Sequence, residues 1–275
     1  MGLKIGVQVY SVRDSADRDL KDTLKKIKAM GYEGVELAGL YGNKPEDVRK
    51  MLDETGLVAI SAHVPLQELV LAPEGVIKNY VTIGCRYIAV PYLPEELRPG
   101  KKDFEKTLKD IEMIAKECKK QGIQLLYHNH NFEFVKMENG EYGLDRIYST
   151  ISEDLLKSEI DTCWVHVSGV DPAAYVKKYS GRAPIVHFKD YNGFVSDQMY
   201  ELIGIAPKEK KAEKDEKHFE FRPVGCGVLD FPAIIREAEA AGTQWIVVEQ
   251  DEPSMGLTRL ESIEKSRENL KKLLG

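Results

Sequence analysis

Short apolar runs rich in Val and Ile alternate along this chain with longer stretches in which apolar residues recur every three or four positions. The first pattern belongs to strands buried on both faces and the second to amphipathic helices. The runs predict strands at Lys4–Val9, Gly34–Ala38, Ala59–His63, Tyr87–Pro91, Gln124–His128, Ser158–Asp161, Ile185–Lys189 and Ile246–Glu249. The periodic stretches predict helices at Leu20–Met30, Pro45–Thr55, Pro73–Ile83, Phe104–Gln121, Gly143–Ile151, Pro172–Tyr179, Phe231–Ala241 and Thr258–Leu274. Glycine follows several of them, as in Thr55-Gly56, Ile83-Gly84 and Gln121-Gly122, where it supplies the left-handed residue that ends a helix. Repeated strand–helix units predict a closed (β/α)8 TIM barrel as a single domain over residues 1–275, because parallel strands need helical crossovers and closure leaves no sheet edge. An open doubly wound sheet is the alternative.

One segment breaks the rhythm. Between the seventh strand and the seventh helix, Tyr191–Pro223 is far longer than an ordinary βα loop and reads as an insertion over the barrel mouth, a lid. Within it, Lys208–Lys217 carries nine charged residues in ten, a solvated tip whose deletion should leave the melting temperature nearly unchanged. The flanking His218–Arg222 alternates with period two and reads as a hairpin arm.

In a (β/α)8 barrel the reactive groups come from the C-terminal strand ends, which open on one face. Here those ends carry Gln8, Glu36, His63, His128 and His130 with Glu133, Asp161, His187 with Lys189, and Glu249. So many ionisable groups at interior positions would be costly unless they meet a common ligand. Glu133, Asp161, His187 and Glu249 offer oxygen and nitrogen donors without thiolate, which suits one divalent ion such as Mn, Mg, Co or Zn. Gly225-Cys226-Gly227, ahead of Asp230 and Pro232, reads equally as a tight turn or as a phosphate-holding approach to a helix.

The balance of 45 acidic against 39 Lys/Arg side chains gives a net charge of −6, which argues against nucleic acid as a partner. No run is long and apolar enough to span a membrane, and no apolar leader precedes the first strand, so a cytoplasmic protein is expected. The dispersed cysteines Cys85, Cys118, Cys163 and Cys226 show no metal-knuckle spacing and are expected as free thiols. His166 and His218 lie away from strand ends and read as surface residues.

The ordered pieces Gln8-Val9-Tyr10-Ser11-Val12-Arg13, Gly34-Val35-Glu36, Ser61-Ala62-His63, Tyr127-His128-Asn129-His130, His187-Phe188-Lys189-Asp190 and Val248-Glu249-Gln250-Asp251 resemble the xylose isomerase-like superfamily of sugar phosphate isomerases and epimerases, and within it the branch that is similar to myo-inosose dehydratase. The resemblance implies one divalent ion held by Glu, Asp, His and Glu from strands five to eight. Three positions transfer to Asp161, His187 and Glu249. At strand five, where many relatives have Glu-Asn-His, this chain has His128-Asn129-His130, so the resemblance implies Glu133 as the fourth ligand with His128 as the alternative. It further implies a small carbohydrate substrate, with room for a homo-oligomer.

A metal that chelates a ketone and its neighbouring hydroxyl acidifies the adjacent C–H. Glu249 and Glu133 are then candidates to pass a proton between carbons in an isomerase or epimerase, and His128 or His130 to act as acid or base in a dehydratase. Gln8, Glu36, His63, Lys189 and Arg222 are the expected substrate contacts. A sugar-binding barrel without catalysis and an endonuclease for abasic DNA are the rivals, the latter disfavoured by six histidines and the acidic balance.

Overall fold

A computed structural model describes residues 2–194 and 219–275. Eight short parallel strands form the central sheet: β1 (Lys4–Gln8), β2 (Gly34–Leu37), β3 (Val58–Ala62), β4 (Tyr87–Val90), β5 (Gln124–His128), β6 (Leu156–Asp161), β7 (Ile185–Phe188) and, last in the chain, β10 (Trp245–Val248). Their order is β3-β2-β1-β10-β7-β6-β5-β4. The ends of that order meet: the Arg86 amide donates to the Ile60 carbonyl at 3.2 Å and the Val64 amide to that of Ala89 at 3.0 Å. The chain is thus a nearly closed TIM barrel, with its main helices outside.

Because strand side chains alternate, each barrel strand serves two cores. Val7, Val35, Ile88, Leu125, Ile160, Val186 and Val248 point outward and pack with helix residues such as Leu24, Ile77 and Ile111. Ile60, Tyr87, Ala89, Leu126, Ile185, Trp245 and Val247 form a separate cluster inside the barrel. Ile60 fills the space that Gly6 and Gly34 leave open; a Cβ on Gly6 would sit 2.3 Å from the Ile60 Cδ1 atom. Above this plug the interior turns polar, because the next inward positions are Gln8, Glu36, His128, Asp161 and His187, all buried.

Three short helices sit in βα connections: α1 (Arg13–Arg18), α4 (Leu66–Leu71) and α8 (Thr162–Val167). The insertion after β7 begins and ends as an antiparallel pair, β8 (Asp190–Asn192) and β9 (Glu220–Arg222), with Tyr191 opposite Phe221. The predicted charged tip Lys208–Lys217, and His218, lie outside the described residues. All four cysteines are free. Among the described residues no helix is long and apolar enough to cross a membrane.

Candidate active site and metal centre

Four strand ends deliver one donor each to a common point. His128 closes β5, Asp161 closes β6, His187 lies within β7 and Glu249 follows β10, and one donor atom from each falls within 4.8 Å of the others. All four are buried. Register explains the convergence, since Asp161 pairs with His187 across β6 and β7, while β10 runs on the far side of β7. The Nδ1 atom of His187 is 3.2 Å from the Oε2 atom of Glu249. His128 turns its Nε2 atom toward Asp161 Oδ2 at 3.9 Å and Glu249 Oε2 at 4.0 Å.

Asp161 has a second task. Its Oδ1 atom accepts the Trp164 amide at 3.0 Å and so caps α8, which leaves the buried Oδ2 atom with no hydrogen-bond partner among the described residues. A buried carboxylate oxygen without a donor calls for a cation. Burial pushes the Asp161 carboxyl up to about 7 although Lys189 pulls it down, and burial pushes the His128 ring down to about 4. Two imidazoles and two carboxylates, all buried, fit a divalent ion of borderline hardness.

Beneath this group lies another. Glu36 accepts the Gln8 side-chain amide at 2.7 Å and the Ser61 hydroxyl, and its Oε1 atom is 2.8 Å from His187 Nε2 and 3.0 Å from His63 Nε2. Glu159, which the sequence reading passed over, stands 2.7 Å from the same His63 nitrogen. Burial depresses His63, but Glu36 and Glu159 overcome it and lift the ring to about 10. Glu159 was visible in principle: it precedes Asp161 by two residues, so strand alternation turns both into the barrel.

His63, His128 and Glu249 line a cavity of about 350 Å³ whose walls also include Tyr10, Pro65, Tyr92, His130, Lys189 and Asp251. Lys189 is buried and reaches Asp251 at 2.8 Å and Glu249 at 3.0 Å, with Trp164 and Phe221 under its ammonium at 5.4 and 5.2 Å. Burial works against that charge, but the surrounding carboxylates hold Lys189 well above its ordinary pKa. His130 is stacked on Phe132 and meets Tyr92 edge-on. Its Nδ1 atom is buried with no hydrogen-bond partner among the described residues, and burial keeps the ring well below the usual histidine range.

Other expected residues land elsewhere. Glu133 is not brought to the donor group: its carboxylate accepts the Tyr127 hydroxyl at 2.7 Å and the His130 amide at 2.8 Å, which anchors the turn after β5. Arg222 pairs with Glu220 across one residue of β9 and does not line the cavity. His166 bonds the Tyr191 hydroxyl at 2.8 Å, outside the site. The amides of Gly225, Gly227 and Leu229 donate to the Asp190 carboxylate at 3.1, 2.7 and 3.3 Å. The glycine-rich turn therefore already encloses an internal anion, and a Cβ at Gly227 would fall 2.2 Å from the Tyr191 carbonyl oxygen.

A family model for the xylose isomerase-like TIM barrel matches residues 24–273. The chain belongs to that family. It is similar to the inosose dehydratase of Geobacillus kaustophilus (strain HTA426), with 24% identity over 256 residues, 83% of this chain and 79% of the relative. A sugar phosphate isomerase/epimerase from Parabacteroides distasonis ATCC 8503 superposes with a TM-score of 0.78 at 21% identity, covering 100% of both chains. L-ribulose 3-epimerase gives 0.72 at 15% identity over 99% of this chain and 94% of its own. The IOLI protein, solved with a binding zinc atom, gives 0.72 at 16% identity over 99% and 98%. At these identities the structural likenesses show the fold.

Proposed function

We propose that this protein is a divalent-metal-dependent enzyme acting on a small carbohydrate or polyol ketone, and that its reaction starts by removing a proton from the carbon beside the carbonyl. The supporting observation is that two members of the His128–Asp161–His187–Glu249 group, His128 and Glu249, line a cavity whose wall also carries His130, a neutral imidazole with an unpartnered buried nitrogen. A divalent ion on those four donors supplies the Lewis acidity that polarises the carbonyl. His130, kept neutral by burial, accepts the proton. Lys189, kept charged by Glu249 and Asp251, holds a proton for the oxygen that gains negative charge. Tyr92, Phe132 and Trp164 pack around His130 and hold the ring in place.

Return of the proton to a neighbouring carbon, or to the other face of the same carbon, makes the protein an isomerase or epimerase. A second reading, β-elimination of water as in a dehydratase, rests on the pairing of a neutral base with a separate cationic donor, which matches a proton taken at one carbon and delivered to a departing hydroxide. The likeness to inosose dehydratase favours the same reading. Incubation with ketoses and inososes in D2O, followed by proton NMR, tests the proposal: metal-dependent exchange of the α-proton is expected in either case, and loss of a hydroxyl-bearing carbon signal marks elimination. Turnover without exchange refutes it.

The substrate is expected to be uncharged. Asp190 fills the glycine-rich turn, Lys189 is engaged by two carboxylates, and an anion in the cavity would face Glu68 and Asp251. The phosphate ester of any accepted ketose should therefore compete at least about tenfold more weakly than the free sugar, a loss of about 1.4 kcal/mol. Equal or tighter competition by the ester refutes this part.

A further inference from the structure

We propose that Glu159 is a positioning residue of the metal centre: one of its carboxylate oxygens fixes the tautomer of the ligand imidazole His128 so that this ring turns a bare nitrogen toward the metal. The inference rests on the metal reading above. The Oε1 atom of Glu159 lies 2.7 Å from His63 Nε2, 3.1 Å from His128 Nδ1 and 3.2 Å from His187 Nε2. Three rings from three strands thus meet one oxygen. Topology makes this possible, because β6 lies between β5 and β7, and Glu159 pairs with His128 on one side while its neighbour Asp161 pairs with His187 on the other.

A carboxylate oxygen only accepts, so a ring nitrogen that hydrogen-bonds to it must carry a proton. For His128 that proton is on Nδ1, which leaves Nε2 as the acceptor facing Asp161 and Glu249. For His187 the nitrogen that hydrogen-bonds a carboxylate is Nδ1, 3.2 Å from Glu249 Oε2, while Nε2 lies 3.2 Å from Glu159 without a hydrogen bond, so Glu159 does not set the tautomer of that ring. In the reverse tautomer of His128 an N–H would point into the donor group and a lone pair at Glu159, with an electrostatic cost at each end. Glu36 lies near His187 and His63 but bonds Gln8 and Ser61, and it does not reach His128. Glu159 alone among the described carboxylates joins all three rings. It is fully buried, and its Oε2 atom has no hydrogen-bond partner among the described residues, so its burial is compensated chiefly through those imidazoles.

The test uses full-length protein labelled with 15N in histidine. Long-range 1H–15N correlation spectra of the metal-free wild type should show His128 protonated on Nδ1; protonation on Nε2 instead overturns the proposal without any variant. Glu159→Gln should weaken divalent-ion affinity 10- to 100-fold in competition with a chromophoric chelator and should change the visible spectrum of the cobalt-loaded protein, and Glu159→Asp should recover part of both. Glu36→Gln should alter the His187 signals and leave those of His128 in place. Wild-type affinity and an unchanged cobalt spectrum in Glu159→Gln overturn the proposal. If Glu159→Gln does not fold, the wild-type His128 assignment decides alone. Failure of the wild type to take up any divalent ion overturns the metal reading instead, and the His128 assignment still rules on Glu159.

Discussion

His128 and Glu133 are both buried beside the same strand end, yet their surroundings assign them different work. Glu133 spends both oxygens on Tyr127 and the His130 amide, whereas His128 directs one nitrogen at two carboxylates of the donor group. His128→Ala should therefore lower metal affinity by about 100-fold, and Glu133→Gln should retain the metal, because the Tyr127 hydroxyl can rotate to accept from the new amide. Atomic absorption on dialysed variants checks both, and the reverse pattern would restore the ligand first expected at Glu133. The Glu133 carboxyl also carries a pH signature. Burial outweighs its two hydrogen bonds and lifts it from 4.5 to about 7. A raised pKa means that the folded state holds the proton more tightly, so this contribution is present in full below about pH 4.5 and is lost as pH rises through about 7, a change of about 3 kcal/mol. Urea unfolding at pH 4.5 and pH 8 should show wild type losing that much relative to Glu133→Gln; a pH-independent difference refutes it. Neither Glu133's engagement nor Glu159's role was legible in the sequence, because which oxygen meets which donor depends on register across strands distant in the chain.

The strands and longer helices were legible to within a residue or two, as with β5 at Gln124–His128 and the helix at Pro45–Thr55. Their periodicities run long enough to be read, and glycine marks their ends, as at Gly56 with φ of 67°. The helices α1, α4 and α8 were missed because six residues are under two turns, too few for a 3.6-residue period to show. That omission touched the site: Asp161 caps α8, and Trp164 of α8 packs on His130. The described segments on either side of residues 195–218 pair as β8 and β9, and Asp190 of β8 holds the turn of Gly225, Gly227 and Leu229. Asp190→Asn keeps the shape but sets an amide group against donors of its own kind at Gly225 and Gly227. It should cost about 2 kcal/mol or more, read as a lower urea midpoint. An unchanged midpoint would mean that the backbone of the turn holds itself without the carboxylate.

Across the whole molecule, the barrel separates an apolar plug from a polar upper layer, and that layer concentrates charge that ordinary folding would avoid. Glu36, Glu159, Asp161, Glu249 and Asp251 are buried together with one lysine, Lys189, among them. Burial raises the Asp161 and Asp251 carboxyls, and the Glu249 charge adds to both. Glu36 and Glu159 face the His63 ring that they lift to about 10, whereas Asp161, Glu249 and Asp251 share Lys189, and a bound divalent ion would add positive charge among these three. A ligand that binds only the folded state adds RT ln(1 + [L]/Kd), about 2.7 kcal/mol at a hundred times Kd. Asp161→Asn should therefore act in opposite directions in the two conditions. In the presence of a chelator it removes one buried charge while keeping the Oδ1 cap on α8, and stability should be equal to or above that of wild type. With divalent ion in excess it lacks an anionic ligand, so the gain of about 2.7 kcal/mol should shrink to near zero. Urea titrations of both proteins under both conditions measure this crossing directly. If Asp161→Asn lowers stability equally with chelator and with ion, Asp161 serves the barrel only as a helix cap, and the charge-cluster account of the site is wrong.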